Sequence, residues 1–283
     1  MMGIKQFILL AFLGFCGNCF GQVKVAIIQY AVQQPDSVGI DDDRFESFVR
    51  EAASNGAKLI VGPETSFYRY APRMQNNVSI LDLANEYDSL IKRYSDLAKS
   101  IGIDLVIGLR EPSGDSIKPV YNTCLYFGKS GKILGKHRKM TPSSAEIGFT
   151  KSGDLKKGDG KPFHTSFGLV GMLICKDMDN SLGCQNCPDW DVQLAKNKLD
   201  LFIGVSGDPS RGWVKIVRGC KLARCYGIGS NLAQSPGAKI IGGGSGFVNP
   251  KGKVISEGGL GEKIIYQILP LKINKVFISN NNK

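Results

Sequence analysis

The sequence predicts a layered α/β fold in which helices cover a β-sheet. Strand-like apolar runs alternate with amphipathic, helix-like runs along most of the chain, and a hairpin signal joins two of the strands. Hydrophobic residues make up 42% and charged residues 22% of the 283 positions, as in an ordinary globular protein with a core. No change of composition marks a boundary after residue 22, so we expect one domain over residues 23–283.

The predicted strands are short apolar runs, many of them rich in Val, Ile and Leu. They cover Val23–Ile28, Leu59–Val61, Leu105–Leu109, Thr123–Phe127, Lys132–Gly135, Leu169–Ile174, Leu201–Val205, Ile228–Leu232, Gly246–Val248, Val254–Ser256 and Ile264–Ile268. The segment Gly128–Gly131 joins the fourth and fifth of these as a hairpin turn.

Helical spacing of apolar residues predicts four helices between the strands. They cover Asp43–Asn55, Tyr87–Ser100, Asp189–Lys198 and Trp213–Cys225. Gly56 and Gly102 follow the first two and indicate where these helices stop.

The first 22 residues have the layout of a secretory signal peptide. Met1–Lys5 carries a positive charge, Phe7–Phe15 is apolar, and Cys16–Gln22 is small and polar. We therefore expect cleavage near Gly21–Gln22 and an exported protein, periplasmic or secreted. Two alternatives are a lipid on one of the cysteines of Cys16–Gln22 and an uncleaved anchor, but the apolar run is short for a membrane span.

The net charge of +11 allows attraction to nucleic acid, anionic membrane or acidic substrates. The lysines are scattered, and no helix-turn-helix, RNA-binding or zinc-finger pattern accompanies them. We interpret the charge as a solvated basic surface and expect no nucleic-acid partner. A basic, non-catalytic anion-binding module is the alternative from another functional class.

Two strand ends carry residues with reactive side chains. Cys175 follows the strand that ends at Ile174, and Glu64 follows the strand Leu59–Val61. Side chains at the carboxyl ends of strands project into the crevice where α/β proteins bind ligands. Position alone favours a core cysteine over a nucleophile, and Glu64 fits either a helix N-terminal acid or a base for a thiol.

Lys139 lies in the basic segment Gly135–Met140, after the second strand of the hairpin. A basic run is usually a solvated face. A lysine that enters the pocket would instead favour the Cys175 thiolate and stabilise an oxyanion.

In this chain order, the Gly-Pro-Glu at Glu64, the Arg-Lys at Lys139 and the strand-end Cys175 resemble the nitrilase superfamily of carbon–nitrogen hydrolases. The resemblance runs from about Val23 to Leu269. It is supported by the segments Ser245–Gly252 and Arg224–Leu232, together with the opening strand.

The resemblance implies a four-layer α-β-β-α sandwich, assembled as a homodimer or larger homo-oligomer. It implies that Glu64 is the general base, Lys139 the catalytic lysine and Cys175 the nucleophile. Glu146 matches a second glutamate that positions the lysine and the substrate, and the backbone N–H of Lys176 would help to hold the oxyanion. The expected substrate is a small amide or nitrile, and neither a cofactor nor a metal is expected.

The residues after the nucleophile depart from the family. In the series Cys175-Lys176-Asp177, the aspartate is typical of amide-hydrolysing members, whereas Lys176 matches neither the amide nor the nitrile pattern. Amide hydrolysis through a Cys175 thioester is therefore the leading hypothesis, and a nitrilase or an acyltransferase of the same superfamily is the alternative.

Three other kinds of site have weaker support in the sequence. A papain-like Cys–His enzyme is disfavoured because the chain has two histidines, His137 and His164, and lacks the local sequence of that class around its cysteine. We interpret His137 as a structural or rim residue.

Cys184 and Cys187 suggest a redox or zinc site, with Cys220 and Cys225 as a loose second pair, but a surface loop with a local disulfide is favoured. The glycines of 242–246 lack the lysine of a phosphate loop.

Overall fold

Two six-stranded mixed β-sheets, packed face to face, form the centre of the computed structural model. The structure describes residues 19–31, 42–66, 85–144, 146–178, 189–207, 213–233 and 242–274. The strands are β1 (Cys19–Gln29), β2 (Leu59–Val61), β3 (Asp104–Pro112), β4 (Val120–Phe127), β5 (Ile133–Arg138), β6 (Phe163–Thr165), β7 (Gly168–Ile174), β8 (Leu201–Ser206), β9 (Tyr226–Asn231), β10 (Gly246–Val248), β11 (Val254–Glu257) and β12 (Lys263–Ile273). The helices are α1 (Asp42–Ser54), α2 (Tyr87–Ile101), α3 (Trp190–Ala195) and α4 (Trp213–Ala223).

Each sheet contains three neighbouring parallel strands. The first sheet has the order β12-β1-β2-β3-β4-β5, in which β1, β2 and β3 are parallel. The second has the order β11-β10-β9-β8-β7-β6, in which β7, β8 and β9 are parallel. The remaining pairs are antiparallel. The carboxyl ends of β2 and of β7 and β8 carry the candidate site, as expected for ligand sites of α/β proteins.

Three apolar clusters separate four layers. Side chains such as Val106, Met172 and Ile203 fill the space between the two sheets. Helices α1 and α2 pack on the outer face of the first sheet, and α3 and α4 pack on the outer face of the second. The predicted α-β-β-α sandwich is therefore confirmed, and its helices bury their amphipathic faces as their periodicity predicted.

The differences between predicted and observed elements are local. Strand β6 was not predicted, since its three residues lack an apolar run. Strand β5 continues to Arg138 beyond the predicted end at Gly135, because its pairing with β4 extends to Thr123. Helix α3 ends at Ala195 rather than Lys198, whose φ of 54° is incompatible with a continuing right-handed helix.

Strand β1 begins at Cys19, which lies opposite Ile273 of β12 and precedes the predicted cleavage site at Gly21–Gln22. Residues 1–18 are outside the described part of the chain, so the signal peptide stays a prediction. Cys184 and Cys187 are outside it as well. Within the described ranges, none of the helices combines the length and the hydropathy of a membrane span.

Candidate active site

Three of the predicted site residues form one buried ion-pair cluster. The Lys139 Nζ donates hydrogen bonds to Glu64 Oε1 at 2.8 Å and to Glu146 Oε2 at 2.7 Å. The three residues are at most 4% exposed. Glu64 follows β2 and Lys139 follows β5, so the geometry of the first sheet brings them together across 75 positions of sequence.

Asn122 joins the two carboxylates of this cluster. Its Nδ2 donates to Glu64 Oε1 at 2.7 Å and to Glu146 Oε1 at 2.8 Å. Both donations come from the amide nitrogen and orient the side chain toward the two glutamates, while its Oδ1 has no hydrogen-bond partner among the described residues. The motifs did not identify Asn122. The signal in the sequence was a polar residue at an inward position of β4, two residues before the buried Cys124.

The loop after Lys139 holds Glu146 in place. Its Oε2 accepts hydrogen bonds from the Ser143 N–H at 2.9 Å and from the Ser143 hydroxyl at 2.8 Å. Arg110 Nη1 lies 3.4 Å from Glu146 Oε1. Burial favours the neutral form, but the positive charges of Lys139 and Arg110 outweigh it and hold the pKa of Glu146 well below its ordinary value.

The lysine is held in its charged form by the same cluster. Burial acts to lower the pKa of Lys139, but attraction to the acidic groups around it, which are Cys175 once ionised and the carboxylates of Glu64 and Glu146, outweighs burial and raises that pKa well above the ordinary value. Lys139 is therefore a fixed ammonium group, suited to stabilising negative charge rather than to accepting a proton.

Cys175 enters the site from the second sheet. It directly follows β7 and begins a one-turn 3-10 helix, Cys175–Met178, that also contains Lys176. Its φ of 44° lies in the left-handed region, a strained conformation for a residue with a side chain. The sharp turn leaves the residue half-buried rather than fully enclosed by the core.

The surroundings keep this cysteine in its thiol form. Burial and the Glu64 carboxylate raise the pKa of Cys175 to about 12, while Lys139 and the Ser206 hydroxyl act in the opposite direction. A reaction at neutral pH therefore requires a base that takes the proton as the sulfur attacks.

Glu64 is held by both sheets. Its Oε1 is bonded to Lys139 and Asn122, and its Oε2 accepts a hydrogen bond from the Gly207 N–H, after β8, at 2.8 Å. Gly108 allows β3 to pass close to the turn that carries Glu64, since a Cβ there would lie 2.4 Å from the Thr65 nitrogen. The second sheet, which carries Cys175, therefore also holds the Glu64 carboxylate in place.

Asp177 connects the turn of Cys175 to the loop that follows Lys139. It is fully buried, and its Oδ1 accepts from the N–H groups of Met140 at 3.0 Å and Thr141 at 2.8 Å. Its Oδ2 accepts from the Ile174 N–H at 3.2 Å and is 2.9 Å from His137 Nε2. These contacts use both carboxylate oxygens inside the protein, so Asp177 ties the turn of Cys175 to His137 and to the loop after Lys139.

His137 is 2% exposed and structural, and the rim alternative is wrong. The Gly160 N–H donates to Nδ1 at 3.0 Å, so the imidazole proton is on Nε2 and points to Asp177. His137 is therefore engaged with a buried carboxylate, whereas a Cys–His enzyme uses its imidazole as the base of the nucleophile.

Cys220 and Cys225 are buried, free thiols in the outer core of the second sheet. Within the described ranges, no group of three or more His, Cys, Asp or Glu side chains is arranged to hold a metal ion. The site can support nucleophilic chemistry. The Cys175 thiol interacts with the Glu64 carboxylate, which can accept a proton, and with the Lys139 ammonium, which can stabilise negative charge.

Comparisons with known proteins agree with this architecture. Omega-amidase NIT2 of Homo sapiens is 30% identical over 262 residues, covering 88% of this chain and 89% of the relative. Nitrilase 3 of Arabidopsis thaliana is 27% identical over 273 residues, covering 83% and 74%.

Solved structures share the fold. A carbon–nitrogen hydrolase from Helicobacter pylori superposes with a TM-score of 0.72 at 19% identity, covering 88% of this chain and 89% of the other. Saccharomyces cerevisiae Nit3, a member of the nitrilase superfamily, superposes with a TM-score of 0.70 at 23% identity, covering 93% and 94%. A family model described as carbon-nitrogen hydrolase matches residues 24–272, almost the whole described chain. The chain therefore belongs to the carbon–nitrogen hydrolase family of the nitrilase superfamily.

Proposed function

We propose that this enzyme hydrolyses the carbon–nitrogen bond of small amides through a thioester on Cys175. The observation that carries the proposal is the buried Glu64–Lys139–Glu146 cluster, whose charges act directly on the Cys175 thiol. The choice of amides is supported by the 30% identity to an omega-amidase over most of both chains.

In the first half of the reaction, the Cys175 sulfur attacks the carbonyl carbon while Glu64 accepts the thiol proton. Negative charge then develops on the carbonyl oxygen, where the Lys139 ammonium and the Lys176 N–H stabilise it. The carbon–nitrogen bond breaks as Glu64 returns the proton to the departing nitrogen. Ammonia or an amine leaves, and the acyl group stays on Cys175 as a thioester.

In the second half, water attacks the thioester carbon and Glu64 accepts a proton from it. The carbon–sulfur bond breaks, the carboxylic acid is released, and Cys175 regains its proton. Glu146 accepts a hydrogen bond from Lys139 throughout, so its role is to position the ammonium rather than to exchange protons.

The proposal is tested by mass spectrometry of the Cys175 peptide after incubation with paired amides and nitriles of the same acyl chain. We expect an acyl adduct with amides, release of ammonia or amine, and loss of both in Cys175→Ala. Cys225→Ala is the matched control, because Cys225 is a buried free thiol in the outer core of the second sheet and its removal should leave turnover unchanged.

Unchanged turnover in Cys175→Ala would refute the assignment of the nucleophile. Adducts formed only with nitriles would show that the enzyme is a nitrilase. Salt-dependent anion binding that alkylation of Cys175 does not affect, without turnover of any amide or nitrile, would support the basic binding module.

A further inference from the structure

A fourth charged side chain adjoins the buried cluster. Arg110 lies on β3 directly opposite Asn122 of β4, on the same face of the sheet. Its side chain is 7% exposed, and its Nη1 is 3.4 Å from Glu146 Oε1. The guanidinium carbon lies 6.0 Å from the centre of the Phe149 ring. Arg110 belongs to none of the motifs that predicted the site.

The charges of the cluster balance only when Arg110 is included. Glu64 and Glu146 contribute two negative charges, and Lys139 contributes one positive charge. Arg110 adds the second positive charge, which makes the sum zero. Transfer of the proton from Cys175 to Glu64 moves charge within the cluster but leaves this sum unchanged.

The neutral sum matters because the cluster is buried. An uncompensated charge away from water is strongly unfavourable, and a protein avoids it by taking up or releasing a proton. Without Arg110 the cluster would carry one net negative charge, so a carboxylate would hold a proton to higher pH. Because Asn122 and Lys139 bond to both glutamates, a proton taken up by the cluster would also weaken Glu64 as the acceptor of the Cys175 proton and so lower activity.

We propose that Arg110 is a positioning residue for the reaction: it pairs with Glu146, keeps the buried cluster neutral and thereby keeps Glu64 available as the base. This inference rests on the proposed function. The groups that face the two glutamates are Lys139 after β5, Arg110 on β3, the neutral Asn122 on β4 and Ser143 in the loop, and the Gly207 N–H after β8. The thiols of Cys175 and Cys124 also interact with the Glu64 charge.

The test compares Arg110→Met and Arg110→Lys with the wild-type enzyme, using the pH profile of kcat/KM for an uncharged amide. In Arg110→Met we expect the acidic limb to move up by about one pH unit, with about a tenfold loss on that limb and recovery at higher pH. Arg110→Lys keeps the charge and should keep the position of the limb. Arg93→Met is the matched control, because Arg93 pairs with acids on the outer helical layer.

A second readout does not depend on turnover. The rate of Cys175 alkylation by iodoacetamide at pH 7.5 should fall about tenfold in Arg110→Met, since the uncompensated negative charge of the glutamates, which act on Cys175, disfavours the thiolate. Arg110→Lys should retain the wild-type rate. If the wild-type enzyme turns over no amide, the proposed function fails, and the alkylation rates still decide the role of Arg110.

Two results would overturn the inference. A loss of kcat in Arg110→Met that is equal at every pH, with an unchanged alkylation rate, would show a merely structural role. An increase in KM restricted to amides that carry a carboxylate would show that Arg110 binds substrate instead. If Arg110→Met does not fold, Arg110→Gln makes the same comparison with a polar, uncharged side chain.

Discussion

The role of Asp177 can be tested by a substitution that replaces one carboxylate oxygen with an amide nitrogen. Asp177→Asn has almost the same shape, but only one of its two terminal atoms can accept hydrogen bonds. We expect the amide oxygen to face the N–H groups of Met140 and Thr141, which donate at 3.0 and 2.8 Å. The amide nitrogen would then face two donors, the Ile174 N–H and the His137 Nε2–H.

The expected loss follows from these two contacts. Hydrogen bonds to charged groups contribute about 1.5–3 kcal/mol each, and the Ile174 contact is long, so we expect a loss of about 3 kcal/mol in the free energy of unfolding. A domain with about 5–15 kcal/mol stays folded after such a loss. Because the turn of Cys175 would lose its contacts with Ile174 and His137, kcat should fall roughly 10- to 100-fold.

Urea unfolding and amide turnover measure the two effects. Asp115→Asn is the control, because the backbone bonds of Asp115 to Ile117 and Lys118 both use Oδ1 and can be kept. Water also reaches this side chain, so we expect a loss below about 1 kcal/mol. A stability of Asp177→Asn within about 1 kcal/mol of the wild-type value, with unchanged kcat, would refute the inferred role of Asp177.

Four further predictions follow from the site and from the ends of the chain. Lys139→Met should lower kcat at least about 100-fold, because an oxyanion donor is lost and two carboxylates remain uncompensated; Lys129→Met, on the hairpin turn, should not. Because Lys139 and Arg110 hold the pKa of Glu146 below its ordinary value of 4.5, its ionisation contributes stability above that pH, and the free energy of unfolding should fall as the pH drops below about 4.5. In Glu146→Gln the free energy of unfolding should depend less steeply on pH in this range. An equal slope in the variant and the wild-type protein would contradict this role of Glu146. We propose that the exported chain begins at Gln22, which N-terminal sequencing would show and a chain retaining Met1 would disprove. We propose a homodimer or larger homo-oligomer, and light scattering that gives the mass of one chain would contradict this.

The strand ends made part of the site predictable. Cys175 directly follows a short apolar strand, Glu64 follows another after Gly62 and Pro63, and Lys139 follows a hairpin. Each of these patterns is a short contiguous segment, and their order along the chain supports the family resemblance. Glu146 was predicted through the same resemblance, and the structure places it on Lys139 at 2.7 Å.

The sequence by itself therefore predicted the layered fold, because hydrophobic periodicity and strand ends are local properties. The resemblance to a family, carried by short motifs, added the four candidate site residues. Only the tertiary structure decided which other groups hold these residues. Asn122, Arg110 and Gly207 reach the glutamates across 24, 36 and 143 positions of sequence. Asp177 was interpreted as a sign of amide substrates, whereas the structure buries it between the turn of Cys175 and the loop of Lys139. Such contacts depend on sheet register and on the packing of the two sheets, so short segments of sequence do not predict them.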